Sequence, residues 1–134
     1  MIKLVYCITR RPGMSLDEFS RYWHDVHGPI GRRIPGLRRL VQSHTISDPD
    51  GVRLPSFDGM AELWFDDIAG LRAARQSPQW RASSEDEANF IDGARTALFL
   101  TEERPPPRPS PEGEGKMGPL PKRGGGIAVV ADLT

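Results

Sequence analysis

Apolar residues in the first hundred positions recur at two alternating periods. Residues 2–10, IKLVYCITR, alternate with period two, placing Ile2, Leu4, Tyr6 and Ile8 on one face of a β-branched-rich strand and Lys3, Val5, Cys7 and Thr9 on the other. Pro12-Gly13 ends that strand. Ser15-Leu16-Asp17-Glu18 is a capping box, in which Ser15 accepts from the Glu18 amide and the Glu18 side chain reaches back. The helix it opens carries Leu16, Phe19, Trp23, Val26 and Ile30 on one stripe. Pro29 and Gly31 weaken its end, and Pro35-Gly36 closes the connection. Residues 37–46 predict a second strand with Leu40, Gln42, His44 and Ile46 on one face, and a polar loop follows over residues 47–56. In a third strand, residues 57–65, Met60, Glu62 and Trp64 alternate with Phe57, Ala61, Leu63 and Phe65. Asp66-Asp67 favours a helix start, with Ile68, Leu71 and Ala74 on its stripe. Ser77-Pro78 caps a further helical piece running through Trp80, Ala88 and Ile91, and residues 95–102 form a fourth strand.

The resulting order, β-α-β-β-α-β, predicts an α+β fold of ferredoxin-like type: an antiparallel sheet with both helices on one of its faces. Strands one and three are apolar on both sides. The sheet face away from the helices is therefore expected to be covered by a second copy, giving a homodimer with twofold symmetry.

Composition separates a tail from this pattern. Residues 104–134 hold seven of thirteen prolines and six of fourteen glycines, and Pro105 to Pro111 is prone to an extended polyproline conformation. The division is therefore a domain over 1–103 and a Pro/Gly-rich extension over 104–134. Residues 127–133, apolar and preceded by three glycines, form either part of a loose tail or a short docking strand contacting a sheet edge or a neighbouring subunit. Charge is balanced, 18 basic against 18 acidic residues, which argues against binding nucleic acid by phosphate neutralisation. Fifteen of the basic residues are arginine; the pairs Arg10-Arg11, Arg32-Arg33 and Arg38-Arg39 read as solvated. No apolar run approaches a membrane span, and the first residues read as a strand rather than a signal peptide. The expectation is a soluble cytoplasmic protein with no membrane partner. The single cysteine, Cys7, excludes an intramolecular disulfide framework and multi-cysteine metal sites, and it reads as an inert strand thiol.

Candidate chemistry concentrates on the first helix, Tyr22-Trp23-His24-Asp25-Val26-His27-Gly28-Pro29. At 100° per residue His27 lies on the apolar stripe beside Trp23, His24 lies on its flank, and Asp25 points away, a poor orienter of His27. A neutral imidazole in a partly apolar pocket serves as a general acid or base near neutral pH, or else is a satisfied core side chain. Two histidines three apart raise the question of a metal, but no third carboxylate ligand or HExxH spacing accompanies them, so no metal is expected. Glu62, in an apolar mid-strand setting, needs a partner: it is an acid or base, or the ion-pair partner of an arginine.

These stretches resemble the EthD domain family of the dimeric α+β barrel superfamily. The resemblance rests on Met1-Ile2-Lys3-Leu4-Val5, on Arg11-Pro12-Gly13-Met14-Ser15 with Glu18-Phe19, on Tyr22 to Pro29, on Ile34-Pro35-Gly36-Leu37, on Phe57 to Phe65, and on Asp86 to Asp92. It implies a dimeric α+β barrel with a small-molecule cavity between helices and sheet in each protomer. It further implies an enzyme without a cofactor, acting on a hydrophobic oxygenated substrate of aromatic, polyketide-like or lactone type. The reaction classes implied are isomerase, cyclase, dehydratase and decarboxylase. In this reading His27 moves a proton, Glu62 or His24 assists, and Tyr22, Trp23, Trp64, Tyr6 and Phe90 line the substrate site. The alternatives are a monooxygenase in the same cavity and a non-catalytic binding protein serving a degradation or biosynthetic pathway.

Overall fold

The computed structural model describes residues 1–51 and 55–111. Its elements follow the predicted order: β1 (Ile2–Ile8), α1 (Leu16–Tyr22), a five-residue π turn (Trp23–His27), α2 (Gly28–Gly31), β2 (Arg39–His44), β3 (Gly59–Phe65), α3 (Ile68–Arg75), α4 (Pro78–Asp86) and β4 (Ala97–Glu102). The four strands form one antiparallel sheet in the order β2-β3-β1-β4. With the helices on one face, this is the ferredoxin-like arrangement. The chain divides into two units, Met1–Glu103 and Arg104–Thr134. The segment considered as a docking strand, residues 127–133, lies outside the described residues.

Local chemistry accounts for the helix boundaries. Ser15 Oγ accepts the Glu18 amide at 3.1 Å while Glu18 Oε1 accepts the Ser15 amide at 2.9 Å, so two otherwise orphaned donors are satisfied. Asp67 caps α3 through the Gly70 amide, 2.8 Å, and Ser77 caps α4 through the Trp80 amide, 3.1 Å. Pro78 stands just inside α4, where its missing N–H costs nothing. The chain leaves α4 after Asp86, earlier than the apolar spacing suggested. A 3₁₀ turn follows over Glu87–Asn89, and Ile91 pairs with Arg10 as an isolated bridge. The Arg11 amide donates to Phe90 O, 2.8 Å, and the Asp92 amide to Thr9 O, 2.9 Å. Segment 87–92 is thereby pinned to the end of β1.

The core lies between helices and sheet. Phe19, Trp23, Phe65, Phe90, Ile8 and Leu71 are its largest fully buried side chains. Phe19 stacks obliquely on both Trp23 and Phe90, with centroids 5.6 and 5.7 Å apart. Gly59 admits the Trp23 indole: a Cβ there would sit 2.6 Å from Trp23 Cη2 and closer still to Cζ3. Two expected stripe positions, Leu16 and Val26, are exposed. The π turn explains Val26. The Gly28 amide bonds back five residues to Trp23 O, so this turn holds nearly one residue more than an α-turn and Val26 rotates off the buried face.

The opposite face of the sheet is less uniformly apolar than alternation suggested. Lys3 Nζ contacts Glu62 Oε2 at 2.8 Å. The Trp64 ring lies under Lys3 Nζ and Arg39 Cζ, 5.2 and 4.7 Å from its centroid. Apolar exposure concentrates on the edge strand β4, where Leu98, Phe99 and Leu100 remain 43–52% accessible.

Candidate active site

The helices and sheet enclose a cavity of about 210 Å³. Its walls are mostly apolar: Leu4 and Ile8 from β1, Leu40 from β2, Ala61 and Leu63 from β3, and Trp23, Ile34 and Trp80 from the helical layer. Polar groups enter this lining at a few points, His27, Ser83, Ser84, Glu87, Tyr6 and Gln42, a distribution typical of small-molecule sites.

His27 stands at the end of the π turn, and its orientation is set from α4. Its Nδ1 lies 2.8 Å from Asp86 Oδ2, with both side chains nearly buried. Asp86 Oδ1 accepts the Tyr22 hydroxyl at 2.6 Å and the Asn89 amide at 3.1 Å. Burial opposes ionisation of Asp86, but these donors outweigh it and hold the carboxyl below its usual range. An ionised Asp86 only accepts, so Nδ1 carries the imidazole proton and Nε2 is left as the lone-pair atom. Nε2 faces Ser83 Oγ at the loose distance of 3.5 Å. Burial lowers the His27 pKa, against the opposing pull of Asp86, so the ring is neutral at neutral pH. The Phe90 ring packs against it, 4.7 Å between centroids.

The remaining candidates separate by location. Trp23 and Tyr6 line the cavity beside His27. Tyr22 reaches the site through Asp86, and Phe90 is a fully buried support stacked on Tyr22, Phe19 and His27. His24 is exposed and bonded to Asp25 Oδ1 at 2.8 Å, so the two histidines of the turn point in different directions. Glu62 and Trp64 lie on the sheet face away from the cavity. The ion-pair partner of Glu62 is Lys3 rather than an arginine, and the Trp64 indole donates to Glu103 Oε1 at 3.0 Å. His44 is held between Ser20 Oγ and Gln42 Oε1, 3.1 and 3.0 Å, while Gln42 donates to Trp23 O, 2.9 Å. That bond braces the widened turn against β2.

Sequence reasoning passed over Asp86, Glu87 and Ser83. They sit in Ser83-Ser84-Glu85-Asp86-Glu87, a string that reads as a solvated helix face. For Ser83 and Glu87 the available signal was helical spacing from Trp80: Ser83, Ser84, Glu87 and Ile91 continue its inward stripe at i+3, i+4, i+7 and i+11, whereas Asp86 falls off it.

The titration directions fix how stability should vary with pH. His27 and Asp86 both have folded pKa values below their ordinary ones. On acidification the unfolded chain therefore binds each proton first, so their contribution is complete above the ordinary histidine range and is lost as pH falls, first through His27 and later through Asp86. Glu87, raised by burial, has the opposite sign: its contribution is present below the ordinary glutamate range and is lost as pH rises. Urea midpoints are expected to drop between neutral and mildly acidic pH, and His27→Gln should flatten that drop. An unchanged slope in the variant would remove His27 as its source.

The EthD domain matches residues 11–94, which span α1, the π turn with His27, β2, β3, and α4 with Asp86. The chain belongs to the EthD family. Among similar proteins, an uncharacterized 11.0 kDa protein in the thcB-thcC intergenic region of Rhodococcus erythropolis is 33% identical over 85 residues, 63% of this chain and 81% of that one. A decarboxylase of Claviceps purpurea is 25% identical over 111 residues, 72% of this chain and 79% of its own. Of solved structures, an ethyl tert-butyl ether D (EthD) family protein of Bacillus halodurans aligns with TM-score 0.66 at 29% identity, covering 78% of this chain and 99% of that one. At lower identity the likeness is one of fold. A dimeric ferredoxin-like protein of Thermobifida fusca aligns at TM-score 0.59 and 16% identity, over 75% and 88% of the two chains. SnoaB, a cofactor-independent oxygenase of Streptomyces nogalater, aligns at 0.53 and 16%, over 77% and 92%. No helix among the described residues of this EthD chain is long and apolar enough to cross a membrane.

Proposed function

We propose that this EthD chain is a proton-transfer enzyme whose base is His27, acting on a hydrophobic, oxygenated small molecule of aromatic, polyketide-like or lactone type. The observation that carries the reading is the Asp86–His27 bond, which fixes the tautomer and leaves a neutral Nε2 beside an apolar cavity. Such a base removes a proton from carbon next to a carbonyl or aryl group, a step shared by isomerases, cyclases and dehydratases. Protonated, the same imidazole returns a proton to the carbanion left by decarboxylation. Trp23 and Tyr6 supply substrate contacts, with Leu40 and Trp80 completing the apolar walls. The decarboxylase relative from Claviceps purpurea supports this class.

The oxygenase neighbour supports a second reading, in which the deprotonated substrate reacts with molecular oxygen; substrate-dependent oxygen uptake distinguishes it. The protein acts as a homodimer in this proposal, consistent with the dimeric neighbours and with the exposed Leu98, Phe99 and Leu100 of β4.

The test uses nitrobenzisoxazole, a compact apolar carbon acid. Base removal of its ring proton breaks the N–O bond and releases a coloured cyanonitrophenolate. Saturable ring opening by the full chain, lost in a folded His27→Ala variant, is expected. Equal rates in the two proteins would sink the proposed base.

A further inference from the structure

Two neighbouring carboxylates leave α4 for opposite surroundings. Asp86 is ringed by three donors, Tyr22, His27 and Asn89. Glu87 has one, the Tyr6 hydroxyl, which donates to its Oε1 at 3.0 Å. Among the described residues no Lys, Arg or His lies within ion-pairing distance of Glu87. Its side chain is largely withdrawn from water. It lines the apolar cavity and also a second, more open pocket of about 440 Å³, and Tyr6, Ser84 and Ile91 are shared between the two. Glu87 thus stands where the apolar chamber meets its mouth.

Resting on the reading of His27 as base, we propose that Glu87 is the catalytic acid of the cavity, donating from Oε2 to the substrate oxygen on which charge develops. Oε1 is engaged by Tyr6, so a proton on Oε2 is free to face the chamber. In an intramolecular aldol closure, His27 Nε2 takes the proton from carbon and that carbon's electron pair forms the new C–C bond. The carbonyl π pair moves to oxygen, which takes the Glu87 proton. The enzyme is left with imidazolium and carboxylate, and the two exchange protons with water through the mouth to reset.

The groups facing Glu87 pull on its proton in both directions. Burial raises its pKa, the Tyr6 bond works against that, and the adjacent Asp86 charge raises it again. His27 faces the same chamber from the π turn, and Arg11 and Asp92 line the outer mouth. Burial moves the two groups in opposite directions, His27 down and Glu87 up, which favours the neutral base and neutral acid over the ionised pair in one cavity.

Nitrobenzisoxazole tests the assignment, because its leaving oxygen develops the charge that Glu87 would neutralise. In the full chain, Glu87→Ala is expected to lower the rate about 10²-fold. Glu87→Gln, whose amide still donates, should stay within about tenfold of wild type and lose the decline that wild type shows as Glu87 ionises at higher pH. Isotope-edited NMR of the glutamate carboxyl carbons, with the Glu87 signal assigned by its absence in Glu87→Gln, reads the protonation state whether or not the probe turns over. A Glu87 carboxyl titrating at the ordinary value of about 4.3 overturns the proposal. So does a folded Glu87→Ala variant with wild-type rate and pH profile. If His27→Ala is inactive in that case, the base survives and only the acid falls. If His27→Ala is also unimpaired, both fall.

Discussion

Asp86→Asn is expected to slow ring opening of nitrobenzisoxazole by about 10²–10⁴-fold while the chain stays folded. The outcome depends on which way the new amide faces. Tyr22 and Asn89 both donate to Oδ1, so the asparagine carbonyl takes that place and its NH2 group takes the place of Oδ2. That NH2 then points at His27 Nδ1, 2.8 Å away in the parent protein. Nδ1 becomes the acceptor, the proton moves to Nε2, and the cavity loses its lone pair. The negative charge that would stabilise the imidazolium is lost as well. Nitrogen NMR of the His27 ring provides the second readout: the tautomer should be reversed relative to wild type. A rate within a few-fold of wild type, with the tautomer unchanged, would show that Asp86 neither orients nor charges the base.

Trp23→Ala should be the most destabilising single change in the core, costing about 3–5 kcal/mol. Trp23 is 2% exposed and lies against Phe19 at 5.6 Å and His44 at 4.4 Å between ring centroids. Gly59 leaves room for its six-membered ring, so no flanking side chain stands ready to fill the gap. Truncation also merges the vacated volume with the substrate chamber, which Trp23 lines. Urea unfolding measures the loss, and Trp23→Phe should recover part of it. A cost below about 1 kcal/mol would mean that the helix collapses onto β3, a movement that would carry His27 with it.

The fold was readable because its signals are local. Alternation in β1 and β3, the capping box at Ser15, and the Ser77-Pro78 start of α4 each act within a few residues, and topology follows from their order. The site was readable only on one side. His27 stands out as an imidazole on an apolar stripe. Its orienter lies 59 positions later, where Asp86 is one acidic residue in a polar string and nothing local marks it. Glu62 shows the converse: a carboxylate in an apolar strand suggested chemistry, but alternation cannot say which sheet face meets the helices, and Lys3 satisfies it on the far side. The helical wheel misplaced Val26 because it assumes uniform rotation, and a backbone bond closing over five residues breaks that assumption.

That same turn separates what the helix builds from what it can vary. Trp23 and Gly28 are joined by a backbone bond although five positions separate them, one more than an α-turn would use. The arms on either side therefore keep helical continuity, with Phe19 and Trp23 before the turn and Gly28 and Gly31 after it fixed to the sheet and core. Between these anchored ends His24, Asp25, Val26 and His27 form a helical turn with one residue more than an α-turn holds. His24, Asp25 and Val26 are exposed and open to substitution at little cost to the architecture, and His27 alone of the four lines the chamber. The turn thus assigns the chamber and the solvent face to different positions while its two anchors hold the sheet.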